Sequence, residues 1–201
     1  VPFFPNGNLI GNTALAEWSS YPGGDYTPTC PTDKIWSKTR VNYFPGTYPV
    51  VWIDPGCHGL VGFNEPSQDD FAEHTWSDVQ LTGWSTDWQG GHTGNMGPQT
   101  DTFECPHDSA IYKVRIEYGT VIDKVEFFCR SYRIQDLNGS YTIESGAQTY
   151  SQSFGGEGAY EASQECGNGQ VAVGAHLESA VHEGKWSLVR VKLRCVDLTP
   201  S

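Results

Sequence analysis

The sequence predicts an all-β fold built from three repeats, and two observations carry that prediction. The six cysteines fall into three similar pairs: Cys30 with Cys57, Cys105 with Cys129, and Cys166 with Cys195, spaced 27, 24 and 29 residues apart. Behind each first cysteine the same alternation of side chains returns. The first copy reads Ile35, Ser37, Thr39, Val41, Tyr43; the second Ala110, Tyr112, Val114, Ile116, Tyr118; the third Val171, Val173, Ala175, Leu177, Ser179. A fixed self-similarity signals a repeat architecture, and a period of two signals a strand with one buried face.

A matching strand runs into each second cysteine. Val125, Phe127 and Cys129 share a face, with Lys124 and Glu126 on the other. Val189, Val191, Leu193 and Cys195 face in, while Arg190, Lys192 and Arg194 face out. The first copy keeps Val51 and Ile53, but Pro55 and Gly56 break its end. Six cysteines allow about 15 pairings, and spacing alone does not choose among them. The repeat favours one disulfide per copy: Cys30–Cys57, Cys105–Cys129 and Cys166–Cys195.

Composition narrows the class. A chain of 201 residues can bury a real core as a single β-rich domain. Its 23 Gly and 12 Pro suit short strands joined by tight turns. No run reaches the roughly 18–20 apolar residues of a membrane-spanning helix, so membrane insertion is not expected. Paired cysteines imply an oxidising compartment, hence a secreted, extracellular protein, and a chain starting at Val1 fits a processed product. The formal net charge of −12 argues against nucleic acid and against electrostatic docking on anionic lipid.

The chain divides into an apolar, Pro- and Gly-rich N-terminal arm (1–16) and one domain (17–201). The repeats span about 17–60, 81–133 and 147–197, with a polar insertion loop at about 61–80. The arm, surplus to three closed repeats, is a candidate for self-association through Val1–Ile10 on a neighbour's sheet edge. Asn138-Gly139 reads as a two-residue hairpin turn, and Asn138-Gly139-Ser140 is a candidate N-glycosylation site. Each repeat has an aromatic residue and a diglycine before its first cysteine: Trp18 with Gly23-Gly24, Trp88 with Gly90-Gly91, and Phe154 with Gly155-Gly156. A polar residue follows each time: Asp25, His92 or Glu157. These are either tight turns or rim loops whose bare amides contact a sugar or another chain.

These residues resemble the repeat of vitelline membrane outer layer protein I. The similarity rests on aromatic–Gly-Gly, then Cys-Pro, then an alternating strand closing on Ile-Asp-x-Val-x-Phe-x-Cys. The nearest copies are Phe103-Glu-Cys-Pro106 through Ile122–Cys129, and Phe154–Gly158 through Val189–Cys195. The resemblance implies a β-prism, with three Greek-key sheets forming the sides of a triangular prism, and jacalin-type lectins as distant relatives. Those lectins use a closing Gly-x-Tyr-x-Asp loop for sugar contacts; the comparable stretch here, Gly184-Lys-Trp-Ser-Leu188, lacks the acid.

Catalytic and metal chemistry find little support. No zinc-site spacing, nucleophile elbow or Walker loop occurs, so no cofactor or metal is expected. His58, His74, His92, His107, His176 and His182 are scattered. Asp69, Asp70 and Glu73 form an acidic stretch that either is solvated or binds calcium. Among seven tryptophans, Trp36 has the opposite parity to Ile35 and Val41 and is expected to point outward unless the sheet is covered. The expected function is therefore non-catalytic binding or structure outside the cell. Its partners would be glycans or matrix proteins, met at Gly23, Gly24, Asp25, Gly90, Gly91, His92, Gly155, Gly156, Glu157 and Trp186. The alternatives are a self-assembling subunit and a glycan-active enzyme.

Overall fold

The computed structural model describes residues 10–11, 24–30, 34–46, 49–62, 75–82, 97–106, 109–137 and 140–197. Twelve strands follow in chain order: β1 (Ile10–Gly11), β2 (Gly24–Tyr26), β3 (Lys34–Tyr43), β4 (Val50–Gly62), β5 (Thr75–Thr82), β6 (Gln99–Glu104), β7 (Ser109–Tyr118), β8 (Ile122–Leu137), β9 (Ser140–Gly155), β10 (Tyr160–Glu165), β11 (Gln170–His182) and β12 (Lys185–Asp197). All the pairings are antiparallel. They form three sheets ordered β6-β3-β4-β5, β10-β7-β8-β9 and β2-β11-β12-β1. In each, three successive strands pair as neighbours and the fourth returns beside the first, which is a Greek key. The fold is a β-prism. β5 also reaches β8, making the first two sheets continuous.

The repeats are offset from the sequence reading. The third Greek key takes its last two strands from the start of the chain. Ile10 pairs with Val191 and Gly11 with Arg190, so at these residues the N-terminal arm completes its own prism. The sequence reading gave the arm no place in the threefold pattern, whereas these two residues pair with β12. The rest of that arm lies outside the described residues. Two further expectations change. Thr75–Thr82 of the supposed insertion loop is strand β5. Pro55 and Gly56 do not end β4, which runs to Gly62. At Pro55 the strand pairs only with Thr39 on β3, because the β5 ladder starts at Gly59, so the missing N–H disturbs no second ladder.

The disulfides are Cys30–Cys57, Cys105–Cys129 and Cys166–Cys195. Each links two sheets. Cys30 follows β2 of the third sheet and bonds to β4 of the first. Cys105 follows β6 of the first and bonds to β8 of the second. Cys166 follows β10 of the second and bonds to β12 of the third. The three faces are thereby tied in a ring. In the chain-entropy picture each bridge contributes about 3 kcal/mol.

A bulge recurs seven residues after each first cysteine, at Ser37, Tyr112 and Val173. The carbonyls of these bulge residues accept the amides of Cys105, Cys166 and Cys30 at 2.8, 2.7 and 2.7 Å. A bulge inserts one residue and so flips the side-chain parity beyond it. Trp36, before the bulge, therefore shares the inner face with Val41 and Tyr43 after it. Its expected outward orientation is wrong: Trp36 is fully buried, edge-on to Phe127 with ring centroids 5.6 Å apart. Its Nε1–H donates to the Lys38 carbonyl and the Thr39 hydroxyl. The same shift puts Ile111 and Ala172 in the core with Val114, Ile116, Ala175 and Leu177.

Candidate functional site

The β7–β8 and β11–β12 turns meet at one end of the prism, and the end of β3 packs on the end of β9. Val121, from the β7–β8 turn, packs with Ala180 and Val189 near the β11–β12 turn. The Tyr43 ring, at the end of β3, lies 6.1 Å from that of Phe154 at the end of β9. Tyr43 also donates its hydroxyl to Asp101 at 2.5 Å, and burial pushes the phenol up to about 12.

A second bulge marks this rim in every hairpin. The ladders slip between Asn42 and Tyr43, between Glu117 and Tyr118, and between Glu178 and Ser179. The extra residue on the return strand is Val51, Asp123 or Val189, each six positions before the second cysteine. Val51 and Val189 are 2% and 0% exposed. Asp123 is only half-buried. Among three equivalent positions, one holds a carboxyl group where the other two bury a valine.

The surroundings of Asp123 are built from glycine. Its carbonyl accepts the Gly156 amide at 2.8 Å. Gly155 holds φ +104°, and a Cβ there would lie 2.1 Å from the Asp123 carbonyl oxygen, so only glycine fits. A Cβ on Gly158 would lie 2.3 Å from the Tyr118 nitrogen. Burial raises the Asp123 carboxyl above its ordinary value; the Gly119 amide and the nearby His182 oppose this, and Glu117 adds to it. Glu117 is shifted the other way, held down first by its bond from Lys124 at 2.7 Å. It also accepts the Gly158 amide at 3.2 Å. Glu117 is thus committed to structure, while the Asp123 carboxyl, which accepts from the Gly119 amide, stays half-exposed at the rim. One such carboxylate can accept hydrogen bonds from two vicinal hydroxyls, while the missing side chains at 155 and 158 make room for the backbone of Asp123 and Tyr118.

The structure sorts the expected site residues. Gly155, Gly156 and Glu157 flank Asp123. Gly156 does not offer a bare amide, because Asp123 uses it. Gly24 and Asp25 pair with Ser179 and Glu178 within the third sheet. Trp186, partly buried, pairs with Val181, which is 53% exposed, beside the Glu183-Gly184 turn. The diglycines are therefore not one repeated feature. Gly24 sits in a returning strand, level with Tyr160 of the next sheet, whereas Gly155 closes β9. Gly23, Gly90, Gly91 and His92 lie outside the described residues, as do Asn138 and the acidic stretch Asp69, Asp70 and Glu73. The strands flanking Asn138-Gly139 pair Leu137 with Ser140, a two-residue connection.

Asp123 and His182 were missed as site residues. The signal was available for Asp123: counting back from the second cysteine aligns it with Val51 and Val189. For His182 there was none, since its approach to Asp123 crosses between repeats.

No family model and no curated protein matches the chain. Its fold is similar to the crystal structure of a prostate-specific WGA16 glycoprotein lectin, with a TM-score of 0.52 at 12% identity over 95% of this chain and 97% of that one. The agglutinin of Calystegia sepium aligns over 98% of this chain and 99% of its own, at 12% identity and a TM-score of 0.49.

Proposed function

We propose that this chain is a secreted, non-catalytic glycan-binding protein of an extracellular coat, matrix or mucus layer. The observation that carries the reading is Asp123: a half-buried acid on a glycine-built rim, at a position where the fold otherwise buries valine. Burial disfavours the ionised form of this carboxyl, a cost that a bound ligand's hydrogen bonds would offset. The likeness in fold to a glycoprotein lectin supports the same reading. Three inter-sheet disulfides suit an oxidising environment. Catalysis is disfavoured because the nearby acid, Glu117, accepts from Lys124 on one oxygen and from the Gly158 amide on the other, and Lys124 holds its pKa down.

The test is a broad glycan array probed with multimerised protein. Signal should appear for a subset of sugars without added metal. It should fall at least tenfold in Asp123→Asn, whose shape is nearly the same, roughly the loss expected for one charge-assisted hydrogen bond. A blank across neutral and charged glycans would move the protein to the structural class.

A further inference from the structure

The twelve Lys and Arg residues are not spread over the surface. All of them lie in β3, β7, β8 and β12, strands of the three central hairpins. Several are neutralised in place: Arg40 by Asp54, Arg115 by Glu126, Lys124 by Glu117, and Arg190 by Glu178. Outside the six hairpin strands the sequence carries seventeen acids and not one Lys or Arg. The negative charge therefore lies outside the hairpin strands, which are themselves net positive. At the rim around Asp123 the same partition holds. Glu157 is exposed, and the Glu183 side chain is 82% exposed at the tip of the β11–β12 turn. Glu161 and Asp25 stand on the two returning strands. The opposing groups are His182, 3.9 Å from Glu183; Arg115, bonded to Glu126 and 3.9 Å from Glu161; Lys185 at the start of β12; and Lys124, which Glu117 already holds.

We infer that the rim takes glycans bearing free amino groups and turns away those bearing carboxylate or sulfate. This rests on the glycan-binding reading and adds the charge of its ligand. The reason is placement. A uniformly acidic surface would serve solubility alone, but here the cations are withdrawn from every connection, including those bordering the one polar bulge. A ligand approaching that rim meets acids first. An ammonium on the sugar is drawn by Asp123 and its exposed neighbours; an anionic sugar is repelled by the same groups.

The probes are 2-amino-2-deoxyglucose, glucose and glucuronate, each coupled at equal density to the same neutral polymer, with the galacto series alongside. Binding is measured slightly below neutral pH, where the amine is protonated. The amino conjugate should bind about tenfold more tightly than the neutral one at low ionic strength, as one favourable contact between charges predicts. The advantage should shrink as salt is added. Glu183→Gln should reduce it without changing affinity for the neutral sugar. Equal affinity for the amino and neutral conjugates, both lost in Asp123→Asn, would overturn the charge inference and leave the glycan reading standing. Preference for glucuronate would overturn it as well. Polylysine binding as tightly as the amino conjugate, and unaffected by Asp123→Asn, would reduce the effect to bulk charge and overturn it. Silence from every conjugate in both series, with polylysine also silent, would remove the glycan reading itself.

Discussion

Asp123 and Val189 occupy the same place on two faces of the prism. Each is the extra residue of a rim bulge, and each lies six positions before a disulfide-bonded cysteine. Val189 is sealed against Val121 and Ala180 and adds to the core. Asp123 contributes a carboxyl that burial disfavours. The backbone is thus indifferent to the residue, and the surroundings decide its use. Around Val189 the neighbours are apolar side chains. Around Asp123 they are glycine backbone, His182 and an already paired Glu117. One fold offers three equivalent rim positions, of which this sequence spends two on stability and keeps one polar.

The comparison breaks most sharply if the acid is moved. Val189→Asp places an unpaired carboxylate among Val121 and Ala180 and should destabilise the protein by about 3 kcal/mol or more. Urea unfolding would show it, and a loss under about 1 kcal/mol would mean the two positions are not as different as their burial indicates. Next in size is Gly155→Ala, where a positive φ and a Cβ 2.1 Å from the Asp123 carbonyl collide. About 2 kcal/mol should be lost, together with glycan affinity, because the segment cradling Asp123 must shift.

Asp123→Val makes the second rim resemble the others. It should leave the protein as stable or more stable while abolishing binding; a clear fall in Tm would show that Asp123 serves the fold. The smallest effect is the pH dependence. The folded-state pKa of Asp123 lies above its ordinary 3.8, so its ionised form weakens the fold. That penalty is full at pH values above the raised pKa and disappears as pH falls below the ordinary value. Asp123→Asn should therefore melt higher than the parent near neutrality, with the gap closing in acid. A gap that stays constant across this range would mean that ionisation of Asp123 is not its source.

Much of this protein was legible in its sequence. The spacing of the cysteines and the alternation behind them determined an all-β threefold repeat, because strand periodicity and repeat length are local properties. The resemblance to a known repeat supplied the prism. Even the odd rim residue was there to be found by counting back from Cys57, Cys129 and Cys195. What the tertiary structure decided depends on relations between repeats. The bulges at Ser37, Tyr112 and Val173 are fixed by amides arriving from another strand, so the parity flip that buries Trp36 has no local signature. The role of Ile10–Gly11 follows from its pairing with Val191 and Arg190 of β12, at the far end of the sequence from it. The electrostatic influence of His182 on Asp123 exists only once the second and third sheets have come together. Sequence sets what each strand buries; closure of the prism sets what each strand meets.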